Sequence, residues 1–172
     1  DSWENVGLRD SEHIGMIAET PYVLVISPKL GVNSVKELID YAKKNPGKLN
    51  YGSAGQGSTT HLAALMFLNA TGTDMLHIPY KSTAAALLAM VSGESDLVVI
   101  TTTAAIPLIH AGKVRALAVL RKDRIPVLAE VPTSVEAGLP NWQANTWYGM
   151  LTRASEIKMY ADIVRVARIQ PN

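Results

Sequence analysis

The chain has 172 residues, 48% of them hydrophobic, and its 16 basic and 15 acidic residues give a formal charge of +1. That length and apolar content suit one soluble globular domain with its own core, and charge scattered this evenly argues against a nucleic-acid groove or a polybasic membrane patch. The absence of cysteine excludes disulfides, thiolate metal sites and a cysteine nucleophile.

Gly, Pro, Lys and Asp interrupt every apolar run short of the roughly 20 residues a membrane helix needs. The chain starts at Asp1 with no signal peptide ahead of it, which is read as a mature or cut form and leaves the compartment open. Residues 1–10 show no period and read as an arm. Residues 14–17 and 22–27 are β-branched runs separated by Thr20-Pro21, so two strands around a bend are expected, the second ended by Pro28 and Gly31. Ser34-Val35-Lys36-Glu37 is a capping box, and Val35, Leu38, Tyr41 and Ala42 share the face of the helix behind it, which Asn45-Pro46-Gly47 stops.

A short strand over 49–51 runs into the glycine-rich stretch 52–60. A helical period then carries Leu62, Leu65, Met66 and Asn69 to Gly72. Residues 74–78 read as a strand, 79–82 as a turn and 83–91 as a buried helix closed by Gly93. The apolar run 97–101 suits a strand covered on both faces, followed by a loop at 102–103 and a short helix over 104–110, with Pro107 near its start and Gly112 as its C-cap. Residues 114–120 form another buried strand and 121–132 a charged surface connection. Thr133-Ser134-Val135-Glu136 is a second capping box on a short helix ended by Gly138, 143–151 a last strand centred on Trp147 and Tyr148, and 155–169 a final amphipathic helix.

Strands and helices alternating at this spacing mean an α/β fold with a mostly parallel sheet flanked by helices, in which ligands sit at the carboxyl ends of strands. Residues 52–60, 80–83 and 101–103 then share one rim. The glycine-rich junction points backbone N–H groups and the positive end of a helix dipole at one spot, which suits a carboxylate or a phosphate. Gly55-Gln56-Gly57 lacks the third glycine of a dinucleotide fingerprint, since Thr60 stands there, and lacks the lysine of a P-loop. The plainer reading is that the glycines only permit a tight turn.

Ser58 has the type and place of an N-cap for the His61 N–H. His61 beside Ser53 or Ser58 is also the strongest form of an enzyme reading, a Ser/His hydrolase, but the nucleophile-elbow pattern is not met and no acidic partner is identifiable. The histidines at 13, 61, 77 and 110 show no metal-ligand spacing, so neither metal nor cofactor is expected. Lys81 can pair with an anion or stay solvated. Trp147 and Tyr148 are read as core or interface packing.

The ordered set 49–62, His77-Ile78-Pro79-Tyr80-Lys81, 111–119, 131–140 and Trp147-Tyr148-Gly149 resembles the solute-binding proteins of tripartite tricarboxylate transporters, of the TctC or Bug type, densely from about 14 to 153. The resemblance implies a periplasmic receptor that takes a small organic di- or tricarboxylate to the transporter's membrane subunits without catalysis. It also implies a fold of two α/β lobes, type II-like, whose glycine-rich loops hold the carboxylate. Carried over by position, the ligand contacts are Ser53, Ala54, Gly55, Gly57, Ser58, Thr59 and Thr60, with Tyr80, Lys81, Thr101 and Thr102 lining the rim.

Nothing in the chain matches the family's first-lobe opening, and the last helix stops early. One α/β domain over 1–172, equivalent to the second lobe, with flanks 1–13 and 154–172, is therefore expected. Ile100 stands where many members carry an Asp, and Ser82 replaces a usual Gly, so a cationic ligand head group is less expected. An isolated lobe would leave Trp3, Trp142, Trp147 and the 157–169 helix in need of cover, so self-association into a homo-oligomer is expected. The alternative from another class is an interaction remnant that binds no ligand.

Overall fold

The computed structural model describes residues 11–153 and residue 166. Contacts divide them into a larger unit, Pro21–Asn145, and a smaller one drawn from residues up to Thr20 and from Thr146 onward. The final helix expected from sequence, Val166 apart, and Trp3 lie outside the described residues.

The larger unit is built on a sheet in the order β3-β2-β4-β1-β5. Its strands are β1 (Ser11–Ile26), β2 (Asn50–Ser53), β3 (Leu76–Pro79), β4 (Leu97–Thr101) and β5 (Arg115–Val119). β2 pairs in parallel with both β3 and β4, whereas β1 runs antiparallel to β4 and to β5. Four of these five strands thus share one direction, and β1 is inserted against them. The sheet is mixed, and its class remains α/β.

Alternation explains the layers. On β1, Tyr22, Leu24 and Ile26 face one cluster and Val23 and Val25 the other, while on β4 Leu97 and Val99 oppose Val98 and Ile100. The first cluster is closed by α1 (Val35–Lys44) and α2 (Thr59–Thr71), the second by α3 (Thr83–Ser92) and α4 (Thr102–His110). Full burial of each of these aliphatic side chains contributes about 1.5–3 kcal/mol. Ile100 is one of them, fully buried in the second cluster.

Local signals set the helix ends. Ser34, Ser58 and Ser82 Oγ accept from the amides of Glu37, His61 and Ala85, while Gly72 and Gly93 close α2 and α3 in the left-handed region. Asn50 and Asp96 exchange hydrogen bonds: Asn50 N–H donates to Asp96 Oδ2 (2.9 Å) and Asp96 N–H to Asn50 Oδ1 (3.1 Å), which aligns the starts of β2 and β4.

Several expectations are corrected. Residues 14–17 and 22–26 belong to one strand, β1, which passes through Pro21, because extended backbone accommodates the fixed φ of proline. α4 begins at Thr102, so Thr102 and Thr103 are helical, Pro107 lies mid-helix, and Ala111 is the C-cap with Gly112 (φ 65°) behind it.

The 121–132 connection buries Ile125, Leu128 and Val131 around a 3-10 turn, Pro126–Leu128. The second capping box forms its bonds, Glu136 N–H to Thr133 Oγ1 (3.1 Å) and Thr133 N–H to Glu136 Oε2 (2.8 Å), yet builds only turns. Val119 holds both sides of that segment, its N–H donating to Pro132 O and its carbonyl accepting from Ser134 N–H, which prevents a helix.

Trp142 is not a surface residue in need of cover. It is 1% exposed, packs on Phe67 with ring centroids 4.8 Å apart, and donates from Nε1 to Ala63 O at 2.8 Å. In the smaller unit β6 (Asn145–Arg153) pairs with β1, and Trp147 and Tyr148 are 57% and 54% exposed. Neighbouring strand residues point to opposite faces, so at its centre β6 is open on both, and this pair is not packed into the core of the described residues.

Candidate functional site

Because β2, β3 and β4 are parallel, their carboxyl ends at Ser53, Pro79 and Thr101 lie at one end of the sheet. The topology therefore brings the junction 53–60, the turn 80–82 and the start of α4 to one rim of the larger unit. This is the end at which α/β sheets take ligands.

The junction between β2 and α2 is braced by its own side chains. Ser53 is fully buried, and its Oγ lies 2.7 Å from His77 Nε2, accepts from Gly55 N–H and contacts Gly55 O, the last two at 3.1 Å. Ala54 N–H donates to Thr60 Oγ1 (2.9 Å). Ser58 Oγ–H donates to Gly55 O (2.7 Å), and Gly57 N–H donates to His61 Nδ1 (3.0 Å). Gly55 (φ 114°) and Gly57 (φ 77°) take backbone angles that L side chains rarely adopt, which is why glycine stands at both. Among the described residues the amides of Gln56, Thr59 and Thr60 form no such bond, and the last two open α2 at the positive end of its dipole.

Beneath the loop lies an aromatic stack that the sequence did not announce. His61 from α2 and His77 from β3 are parallel at 4.0 Å between centroids, and Tyr51 from β2 stacks on His77 at 4.9 Å. The parallel register Tyr51↔His77 puts both on the α2 face. Only the strand pairing brings His77 to Ser53, 24 residues away, so no local motif could have shown it.

Burial, then the neighbouring His61, lowers the His77 pKa from its ordinary 6.5. The folded protein thus binds this proton less readily than the unfolded chain. The stability held by neutral His77 is complete above pH 6.5 and declines as pH falls from there through the lower folded value. Two imidazolium charges about 4 Å apart would repel by about 1 kcal/mol in water and about 4 kcal/mol at an effective dielectric constant near 20, so a second proton on the stack is disfavoured.

The other rim residues behave differently. The Tyr80 ring does not face the loop: its Cε2 lies 3.2 Å from where a Gly52 Cβ would be, beside Ser95 and Val98, and burial, then Glu94, raises its phenol pKa. Only its backbone joins the junction, donating from N–H to Ser53 O at 2.9 Å. Lys81 is exposed and Thr102 buried. Thr101 occupies the N-cap position of α4 without a side-chain cap bond, and its Oγ1 accepts from Thr103 at 3.4 Å.

Ser82 caps α3, its Oγ accepting from the Ala85 N–H at 3.2 Å. The Ser53–His77 contact does not make a nucleophile, because a fully buried Oγ is closed to substrate and no carboxylate ion-pairs with either imidazole among the described residues. No group of three metal-ligating side chains occurs among them either.

The model of the tripartite tricarboxylate transporter family receptor, TctC, matches residues 3–163. The chain belongs to the TctC family. A relative from Bordetella pertussis, described as a UPF0065 protein, is 40% identical over 134 residues, covering 78% of this chain and 42% of the relative. Among solved structures, R. palustris Rpa4515 with adipate is 34% identical with a TM-score of 0.83, over 92% of this chain and 54% of that one. MatC from Rhodopseudomonas palustris with bound malate is 28% identical with a TM-score of 0.82, over 92% and 55%. This TctC chain spans about half the length of the proteins it matches, and its fold is that of the corresponding part of a periplasmic binding protein.

Proposed function

We propose that this TctC chain is the carboxylate-capturing lobe of an extracytoplasmic receptor that delivers a small organic di- or tricarboxylate to a transporter's membrane subunits. The observation that carries the reading is the strand–loop–helix junction at 53–60, held rigid from behind with the Thr59 and Thr60 amides left at the α2 N-terminus. The likeness to proteins solved with adipate and with malate supports a carboxylate over a phosphate. In this reading Ser53, Ser58 and the Thr60 hydroxyl shape the loop. The amides of Gln56, Thr59 and Thr60 meet the carboxylate, while Thr101, Thr102 and Lys81 border it.

The location is periplasmic by the same kinship, and no helix among the described residues is long and apolar enough to cross a membrane. No reaction is catalysed. Titration calorimetry with mono-, di- and tricarboxylates, adipate and malate included, is expected to give heat with at least one diacid and none with inorganic phosphate. Silence across the panel would reject the reading in favour of a ligand-free interaction module.

A further inference from the structure

We infer that His61 is a proton-linked positioning residue: its neutral imidazole holds the Gly57 amide, and capture of a carboxylate is coupled to proton uptake at the His61–His77 stack. The inference rests on the carboxylate reading above and adds its regulation by pH.

Gly57 N–H donates to His61 Nδ1, so that nitrogen carries a lone pair and the ring is in its Nε2–H form. A proton on Nδ1 ends this bond, because two N–H groups then face one another. The same proton frees the Gly57 amide for another acceptor and puts a positive charge beside the loop. Both consequences favour an anion at the junction, so they act in the same direction.

The surroundings disfavour a second proton. His77 stacks on His61 at 4.0 Å, and the Tyr51 ring lies 4.9 Å from His77 and 6.2 Å from His61. These rings are the titratable groups that face the pair, and neither imidazole has a carboxylate or ammonium ion pair among the described residues. Lys81, on the turn after β3, is solvent-exposed. Ser53 Oγ accepts from His77 Nε2–H or donates to the bare nitrogen, so the Ser53 contact survives either state of His77, whereas the Gly57 bond survives only with His61 neutral. The sensitive element is therefore Gly57, the exposed glycine of the loop.

Two measurements on the full chain test this. Calorimetry with adipate and with malate, at about pH 8 and about pH 5.5 in buffers of different ionisation enthalpy, is expected to show binding about fivefold tighter at the lower pH with net proton uptake below one. H61N and H61F are expected to flatten that slope, and any slope they retain belongs to the ligand's own carboxyl groups. Equal affinity and no proton uptake in the unaltered protein, or an undiminished slope in both variants, overturns the inference.

The second measurement needs neither ligand nor variant: the Gly57 amide shift in nitrogen-15 spectra is expected to follow the His61 ring titration. If it does while every carboxylate is silent, the carboxylate reading fails and with it the coupling, but the Gly57 latch stands. A Gly57 amide indifferent to His61 protonation overturns the latch whatever the calorimetry gives.

Discussion

Two strand-to-helix junctions share the rim, and they are built on opposite plans. Between β2 and α2 the chain makes a loop, and Ser53, Ser58, Thr60 and His61 tie that loop to itself through side chains. Between β4 and α4 nothing intervenes: Thr101 ends the strand, Thr102 starts the helix, and the N-cap hydroxyl makes no cap bond. The first junction commits most of its donors to its own rigidity and keeps few for a ligand. The second commits none to a side-chain cap, so its first-turn amides keep the helix dipole uncompensated. In the proposed reading, a preorganised loop and an uncapped helix start suit an anion together, because the ordering cost is met in folding and not in binding.

The strongest way to break the braced junction is from beneath. A Cβ on Gly52 would lie 3.2–3.3 Å from the Tyr80 ring, Ser95 Oγ and Val98 Cγ2 at once. Gly52→Val should therefore lower stability by about 3 kcal/mol, at the upper end of overpacking costs, and displace Tyr80. Urea denaturation checks it, and a loss under about 1 kcal/mol would mean that the Tyr80 ring is free to move aside.

Ser53→Ala cuts the same junction from within. It removes the partner of the Gly55 amide and of His77 Nε2 in a fully buried place, for an expected loss of about 1–2 kcal/mol. Carboxylate affinity should fall more steeply than stability, because the loop loses its shape while the sheet remains. An intact affinity in a destabilised Ser53→Ala protein would show that the bracing serves folding alone.

Much of this contrast was legible in the sequence, and the reasons are local. Ser34 and Ser58 announce helices because an N-cap needs only its own next three residues, and Gly72 and Gly93 announce their ends in the same way. The nearly continuous apolar run 97–101 announced a strand covered on both faces, which β4 is over 97–100. Strand direction was not legible, since β1 inserted antiparallel carries the same alternation as a parallel strand would. Nor was the pairing of His77 with Ser53 and His61, which exists only after β3 is laid beside β2. The Thr133–Glu136 box shows the converse: the local signal is satisfied bond for bond, and the anchoring at Val119 still decides that no helix follows.

The smallest expected effect separates the two junctions best. Thr101→Asp supplies the missing cap of α4 and places a carboxylate at its positive end, which should raise stability by about 0.5–1 kcal/mol. The same carboxylate takes up the first-turn amides of α4 and repels an anion bordered by Thr101, so affinity for a dicarboxylate should drop although the protein melts later. At Ser58, where a cap already exists, the corresponding Asp has no donor to gain and should not stabilise. Opposite signs for stability and affinity at Thr101, read by thermal unfolding and calorimetry on one sample, would identify the α4 start as part of the anion site. A gain in both would place the ligand on the β2–α2 loop alone.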